Sequence, residues 1–334
     1  MPERRYVYGP VASRRLGFSL GVDVIPFKTC TLDCVYCQLG STGRTTVRRG
    51  RWFPPKDILA QIKQAVDSGQ KIDVITFSGS GEPTLCRDLG PLIRAIKRMT
   101  RIPVAVLTNA TLLTRPEVRR DLRAADIVVP SLDAVPARVF RRVNRPNAAL
   151  DNARIIEGLA RFRKEFRGQL RLEIMLVKGV NDSPSDIRAL EAAVERVRPD
   201  RIELNTVVRP PAERRAAPLG PSALEKIRGR LGPKAEVVAS FETKGPARKR
   251  ARVPLEEDIL ATVRRRPQTA DDIGAALGRN RDEVLKALAR LARAGRLKRL
   301  VHGGTVYFAT FQERQPPSGT VPRKGVAGRQ ARFT

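Results

Sequence analysis

From about Gly17 to Phe241 the sequence alternates short apolar runs with amphipathic stretches, a pattern met by repeated βα units and by little else. The runs VITFSG (74–79), VAVLTN (104–109), IVVPSLD (127–133), LRLEIMLV (170–177) and IELNTVV (202–208) have the length and side-chain content of strands, and FSLGVDVI (18–25) holds an earlier one. Helical stripes lie between them. Ile58, Ile62 and Val66 recur every four residues after a Pro-Pro start, and Ile187, Leu190, Val194 and Val197 repeat the stripe after an Asn-Asp-Ser-Pro-Ser entry. At least six βα units make a parallel sheet with outer helices, either an open doubly wound sheet or an incomplete barrel. In both, working residues gather at the C-terminal ends of strands.

The polar stretches obey that rule: SGSGEPT, TNAT, SLDA and KGVND each follow an apolar run directly. Alternation adds more. In LRLEIMLV, Leu172, Ile174 and Leu176 share one face, and Arg171, Glu173 and Met175 the other; in IELN, Glu203 and Asn205 oppose Ile202 and Leu204. With the aliphatic face against helices, the polar groups point into the sheet's other face or a barrel lumen, where a carboxylate needs a cation or hydroxyl partner. An ion pair and a ligand contact are equal readings for each of them.

A different pattern follows a basic run, TKGPARKRAR (243–252). PLEEDILATVRRR reads as one helix, TADDIGAALG as a second with a Thr cap, and NRDEVLKALARLARAG as a third; RLKRLVHGGTVYFAT makes two strands around His-Gly-Gly. Three helices and a hairpin in that order resemble a winged helix-turn-helix. The chain divides into a core domain over 1–241, a basic linker over 242–253, the winged-helix pattern over 254–312 and a basic flexible tail over 313–334. The exposed side of the third helix would carry Arg281, Lys286, Arg290 and Arg293. With 64 basic against 34 acidic residues, the net charge of +30 points to a polyanionic partner, RNA, tRNA or DNA, through the basic C-terminal region. No stretch reaches the apolar length of a membrane span, and MPERRYVYGP lacks a hydrophobic leader core, so a cytoplasmic protein with no membrane partner is expected.

Four cysteines among 334 residues do not make a disulfide scaffold. Three of them, Cys30, Cys34 and Cys37, stand at C-x3-C-x2-C spacing; the fourth is Cys86, and His302 is the sole histidine. A structural zinc needs four ligands, and the fourth would be Cys86 or His302, each isolated. A redox pair leaves the third cysteine unused. An iron–sulfur cube held by three cysteines leaves one iron open for a substrate or cofactor. The absence of histidine before position 302 argues against a His-based hydrolase. Cys86, in EPTLC, reads as a small buried hydrophobe.

CTLDCVYC fits the cysteine motif of the radical S-adenosylmethionine (radical SAM) enzymes, with Tyr36 before the last cysteine as that superfamily prefers. SGSGEP (78–83) resembles its Gly-Gly-Glu stretch, with Ser80 where the first glycine is usual; TNAT, SLDA, VNRP (143–146) and LVKGVND (176–182) resemble further family segments, in order, over residues 5–240. The resemblance implies a partial (β/α)6 TIM-type barrel, followed here by the small winged helix-turn-helix domain. It implies a 4Fe–4S cluster on Cys30, Cys34 and Cys37, and S-adenosylmethionine cleaved reductively to a 5′-deoxyadenosyl radical that abstracts a substrate hydrogen. Tyr36 would lie near the adenine. Ser78, Gly79, Ser80, Gly81 and Glu82 would receive the methionine ammonium, with Asn109 beside them, and Ser131, Asp133 or Glu173 would touch ribose or carboxylate. A flavodoxin- or ferredoxin-type electron donor is implied as well.

Within the superfamily, Ser-Arg-Arg-Leu-Gly and Cys-Gln-Leu-Gly-Ser-Thr resemble a bacterial branch grouped with the tRNA wyosine-base synthases. Those carry further N-terminal cysteines, whereas this chain has none before Cys30, so the branch implies little about the reaction. Arg14 and Arg15 fit either a substrate phosphate or lumen acids. Three functions stay open: a radical enzyme acting on nucleic acid, one acting on a protein or small molecule with the winged helix for docking, and a non-catalytic metal-sensing DNA-binding regulator. Only the first two need the strand-end cofactor segments.

Overall fold

Eight strands form one sheet in sequence order, in a computed structural model that describes residues 4–13, 15–239, 255–264, 266–279 and 281–311. The expected linker over 242–253, the tail over 313–334 and Arg14 lie outside the described residues. Strand β1 (Val7–Ser13) runs antiparallel to β2 (Gly17–Val22). From β2 onward every pairing is parallel, through β3 (Val74–Phe77), β4 (Val104–Thr108), β5 (Ile127–Pro130), β6 (Gln169–Leu176), β7 (Arg201–Thr206) and β8 (Ala235–Val237). β1 and β8 do not pair, so the curved sheet stays open. Strands β2 to β7 are the six that the sequence pattern announces; β1 and β8 are additions. One contains Gly9 and Pro10, the other has three residues, and neither shows the alternation or apolar run of a strand.

The outer layer is α1 (Pro55–Asp67), α2 (Leu89–Met99), α3 (Pro116–Leu122), α4 (Ala137–Asn144), α5 (Asn152–Glu165), α6 (Pro184–Val197) and α7 (Pro221–Leu231). Their starts are chemically marked. Proline opens α1, α3, α6 and α7, where its missing N–H is no loss, Asp151 caps α5 through Arg154 N, and Ser183 with Asp186 forms a reciprocal cap on α6. Between helices and sheet lies one continuous core. All four residues of β3 are buried, as a strand covered on both faces requires, and Phe77, Ile58, Ile62 and Phe162 are among its fully buried side chains. Each such burial contributes roughly 1.5–3 kcal/mol.

The opposite face of β6 and β7 is polar, and its acids make ion pairs. Arg15 reaches Glu173 at 2.9 Å and Glu203 at 2.8 Å, with Arg171 3.8 Å from Glu203 and Asn205 donating to Glu173 at 3.1 Å. Burial pushes the Glu203 carboxyl up, and Arg15 pulls it back.

After the core domain come α8 (Leu255–Val263), α9 (Ala270–Leu277), α10 (Arg281–Arg293) and an antiparallel hairpin of β9 (Lys298–His302) and β10 (Thr305–Ala309). They have a hydrophobic centre of their own, around Ile259, Ile273, Val284, Leu288 and Phe308. Thr269 and Asp272 cap α9 reciprocally. On α10, Arg281, Lys286, Arg290 and Arg293 are exposed as expected, but Arg281 pairs with Asp271 and Arg290 with Glu256, which halves the free charge of that face. This unit lies against the core domain. α8 and α9 pack on β1; His302 Nε2 donates to Val207 O (3.0 Å), Tyr307 Oη donates to Val208 O (2.6 Å), and Arg209 meets Asp272 at 3.6 Å. Among the described residues no helix is long and apolar enough to cross a membrane.

Candidate functional site

The three clustered cysteines sit on one long loop between β2 and α1, beyond the C-terminal end of β2. Backbone bonds fasten this loop on two sides. Lys28 N donates to Ser80 O (2.6 Å) and Glu82 N to Thr29 O (3.0 Å), joining it to the strip after β3; Asp33 N donates to Asn144 O (3.0 Å) and Val35 N to Val143 O (3.0 Å), joining it to the end of α4. Glycines at 79 and 81 make the first junction possible. A Cβ on Gly81 would stand 2.1 Å from Thr29 O, and one on Gly79, whose φ is +117°, 2.3 Å from Asp23 Oδ1.

Each thiol receives a side-chain N–H from a different place. Asn109 Nδ2 donates to Cys30 Sγ (3.5 Å), Asn144 Nδ2 to Cys34 Sγ (3.4 Å) and Lys28 Nζ to Cys37 Sγ (3.4 Å). Burial, then the charge of Glu82, pushes the Cys30 thiol up to about 12; burial and then Asp133 push Cys34 up as well. Metal binding to a cysteine replaces the thiol proton. Three N–H donors aimed at sulfur are the environment that favours thiolate ligands and tunes a cluster they hold.

Among the described residues no three His, Cys, Asp or Glu side chains are grouped closely enough to hold a single metal ion. A cube needs its thiolates on three different irons rather than around a single ion, so the donor set suits a cube better than a tetrahedral zinc. The zinc reading's fourth-ligand candidates are engaged elsewhere. Cys86 is buried near Arg49, Asp88 and Asp121, its thiol pushed up to about 11 mainly by burial, and His302 is on the Val207 carbonyl.

The remaining candidates surround the cysteine loop. Glu82, 2% exposed, accepts from Thr84 N (3.0 Å), Thr84 Oγ1 (2.6 Å) and Thr108 Oγ1 (2.6 Å) on Oε1, and from Asn109 N (2.7 Å) on Oε2. It caps the 3-10 turn Pro83–Leu85, and burial pushes its carboxyl up against these donors. Ser78 Oγ bonds Tyr8 Oη (3.0 Å), and Ser80 N donates to Asp23 Oδ1 (2.8 Å). Asn109 also donates to Thr31 Oγ1 (2.8 Å). Tyr36 Oη donates to Asp133 Oδ2 at 2.5 Å; Asp133 further accepts from Asn144 Nδ2 (2.7 Å) and Met175 N (2.9 Å). Ser131, half-buried, forms a parallel backbone bridge with Glu173, whose side chain faces Arg15. Lys28 and Asn144 were not singled out in the sequence, although both lie in segments that were, KTCTLDC and VNRP. Only the folded contact marks them.

The family model for the Radical SAM superfamily matches residues 24–190, which span the cysteine loop, the Glu82 strip and strands β3 to β6. A Brachyspira hyodysenteriae protein named GTPase Obg is 37% identical over 308 residues, 91% of this chain but only 45% of that protein. This sequence has no Gly-Lys dipeptide and hence no phosphate-binding loop of the G-x4-G-K-S/T kind. A UPF0026 protein of Methanocaldococcus jannaschii is 31% identical over 90% of this chain and 94% of its own length. Among solved structures, a radical SAM methyltransferase from Sphaerobacter thermophilus shares the fold at a TM-score of 0.50 and 18% identity, covering 67% of each chain. Sequence, sheet order and cysteine loop lead to one conclusion: this chain belongs to the radical SAM superfamily, enzymes that bind S-adenosylmethionine and a 4Fe–4S cluster.

Proposed function

We propose that this enzyme holds a 4Fe–4S cluster on Cys30, Cys34 and Cys37 and acts on RNA, with tRNA the first candidate. The observation that carries the first half is the set of three N–H···S contacts, from Lys28, Asn109 and Asn144, one to each thiol. When bound, the cluster supplies one electron for cleaving S-adenosylmethionine to a 5′-deoxyadenosyl radical, which removes a substrate hydrogen. The chain's own part is positioning. Glu82 locks the ends of β3 and β4 together through Thr84, Thr108 and Asn109, and the strip Ser78–Glu82 would receive the methionine ammonium through its backbone and Glu82 Oε2. Asp133 holds the Tyr36 hydroxyl, which fixes the ring for the adenine, while Ser131 and Glu173 line the approach to the ribose and carboxylate.

The RNA reading rests on the +30 charge and on the C-terminal unit, which we read as a winged helix-turn-helix. Three helices, a hairpin and an antiparallel bridge from Gln268 to Phe308 support that reading. The Ser-Arg-Arg-Leu-Gly and Cys-Gln-Leu-Gly-Ser-Thr segments support kinship with the wyosine branch, without assigning that reaction. A cytoplasmic location and a flavodoxin- or ferredoxin-type donor complete the proposal.

Two experiments test it. Anaerobically reconstituted protein should hold about four irons per chain, lost in Cys30→Ala, Cys34→Ala and Cys37→Ala and kept in Cys86→Ala; stoichiometric zinc without a visible chromophore would overturn the cluster. Reduced enzyme with S-adenosylmethionine is then given deuterated bulk tRNA or deuterated cell protein. Deuterium in 5′-deoxyadenosine from the tRNA pool is expected, and deuterium only from the protein pool would replace RNA by a protein substrate.

A further inference from the structure

We propose that a cavity of about 550 Å3 between the cysteine loop and α3, lined by Arg48, Arg49, Arg87, Arg115 and Arg120, is a docking site for RNA phosphodiesters. This rests on the RNA reading above and adds where the RNA is held. The cavity lies between three segments: the return of the cysteine loop, Arg87 just beyond the 3-10 turn, and the stretch that opens α3. Its size falls within the range of built ligand sites, roughly 300–1,000 Å3.

Arg49 is the fixed member. It is 8% exposed; Nε donates to Thr84 O (2.8 Å), and Nη2 donates to Cys86 O (2.9 Å) and to Asp121 Oδ2 (2.6 Å). Its charge is therefore answered by Asp121. The other four are not. Among the described residues, the side chains of Arg48, Arg87, Arg115 and Arg120 have no ion pair and no hydrogen bond, and Glu117 is the remaining acid of the lining. In a chain with 30 more cations than anions many arginines must go unpaired, so a lone free arginine says nothing. Convergence does. Four unanswered guanidiniums around one concavity repel one another, and a concave low-dielectric wall focuses their field outward, which a phosphodiester relieves through forked, charge-assisted hydrogen bonds.

The wall is also shared with the candidate site. Arg49 holds the Thr84 carbonyl, Thr84 donates to Glu82, and Thr46 N donates to Cys30 O (2.9 Å) just before the arginines begin. A backbone gripped here is gripped by the same loop that carries the cysteines. The free cations of α10 are fewer, since Arg281 and Arg290 are already paired.

The test uses the full chain. Arg48→Ala, Arg87→Ala, Arg115→Ala and Arg120→Ala are combined and compared with a charge-matched control, Arg94→Ala, Arg98→Ala, Arg101→Ala and Arg188→Ala, which are exposed, unpaired and outside the cavity. Filter binding of bulk tRNA is followed over a series of KCl concentrations. The cavity variant is expected to bind at least about tenfold more weakly and to lose roughly 2–3 from the slope of log K against log salt, since each phosphate contact carries about 0.7–0.9 of that slope. The control should lose less than about threefold. Equal losses in both variants, or none in the cavity variant, overturn the site while leaving RNA as substrate. A wild type that binds no tRNA and draws deuterium only from protein overturns the RNA reading itself. Substrate-free cleavage of S-adenosylmethionine, unchanged in the cavity variant, reports that the fold is intact; should the combined variant not fold, Arg87→Glu and Arg120→Glu singly carry the same comparison.

Discussion

Asp133 is 3% exposed and accepts three hydrogen bonds, yet burial still pushes its carboxyl up to about 6. An acid whose folded value lies above its ordinary 3.8 binds more protons folded than unfolded, so its contribution to stability is full below about 4 and is lost as pH rises to about 6. In the cluster-free chain, Asp133→Asn should therefore gain on the wild type between pH 4 and pH 7, by roughly 1–3 kcal/mol. Urea unfolding at both pH values checks this, and a difference independent of pH would mean that the carboxyl is not perturbed. At this scale the cysteine triad was legible because its spacing is covalent and local. The donors to it were not. Asn144 reaches Cys34 across 110 residues and Asn109 reaches Cys30 across 79, and no periodicity links such pairs. Arg15 was legible as a choice between a phosphate and lumen acids, and nothing in the sequence hints at the 2.9 Å and 2.8 Å contacts that pair it with Glu173 and Glu203.

Among elements, the strip from Ser78 to Glu82 depends on glycine where its backbone meets the cysteine loop. Gly81→Ala puts a Cβ 2.1 Å from the Thr29 carbonyl, a backbone atom that cannot swing away. Overpacking of this kind costs about 1–3 kcal/mol, and the loosened loop should also show faster amide exchange at Glu82, whose N–H bonds the same carbonyl. Gly229, inside α7, meets nothing within 4 Å, so Gly229→Ala should instead stabilise the chain by roughly 0.5–1 kcal/mol, the helix preference for alanine. Chemical denaturation of the two variants gives opposite signs if this account holds. The six central strands and the outer helices were readable because apolar runs and 3.6-residue stripes follow directly from burial on one or both faces. β1 escaped because Gly9 and Pro10 interrupt it, and β8 because three residues hold no pattern.

Across the whole molecule, the sequence suggested two units and a linker but nothing about their contact. The C-terminal unit is tied to the loop after β7 through His302, Tyr307 and the Arg209–Asp272 pair, whose side chains are only 9% and 12% exposed. Leaving one partner of a buried pair alone typically costs about 3–5 kcal/mol. Arg209→Ala with Tyr307→Phe should therefore split thermal unfolding into two transitions, where calorimetry of the wild type should show one. The packing of α8 and α9 on β1 has a consequence for aggregation. In the sheet order β1 stands at one end, beside β2, and an edge strand is where another extended chain can add to a sheet. Helices from the C-terminal unit lie over that strand. Loosening them bares a strand edge, and such variants should associate in a concentration-dependent way, edge to edge, before either unit melts.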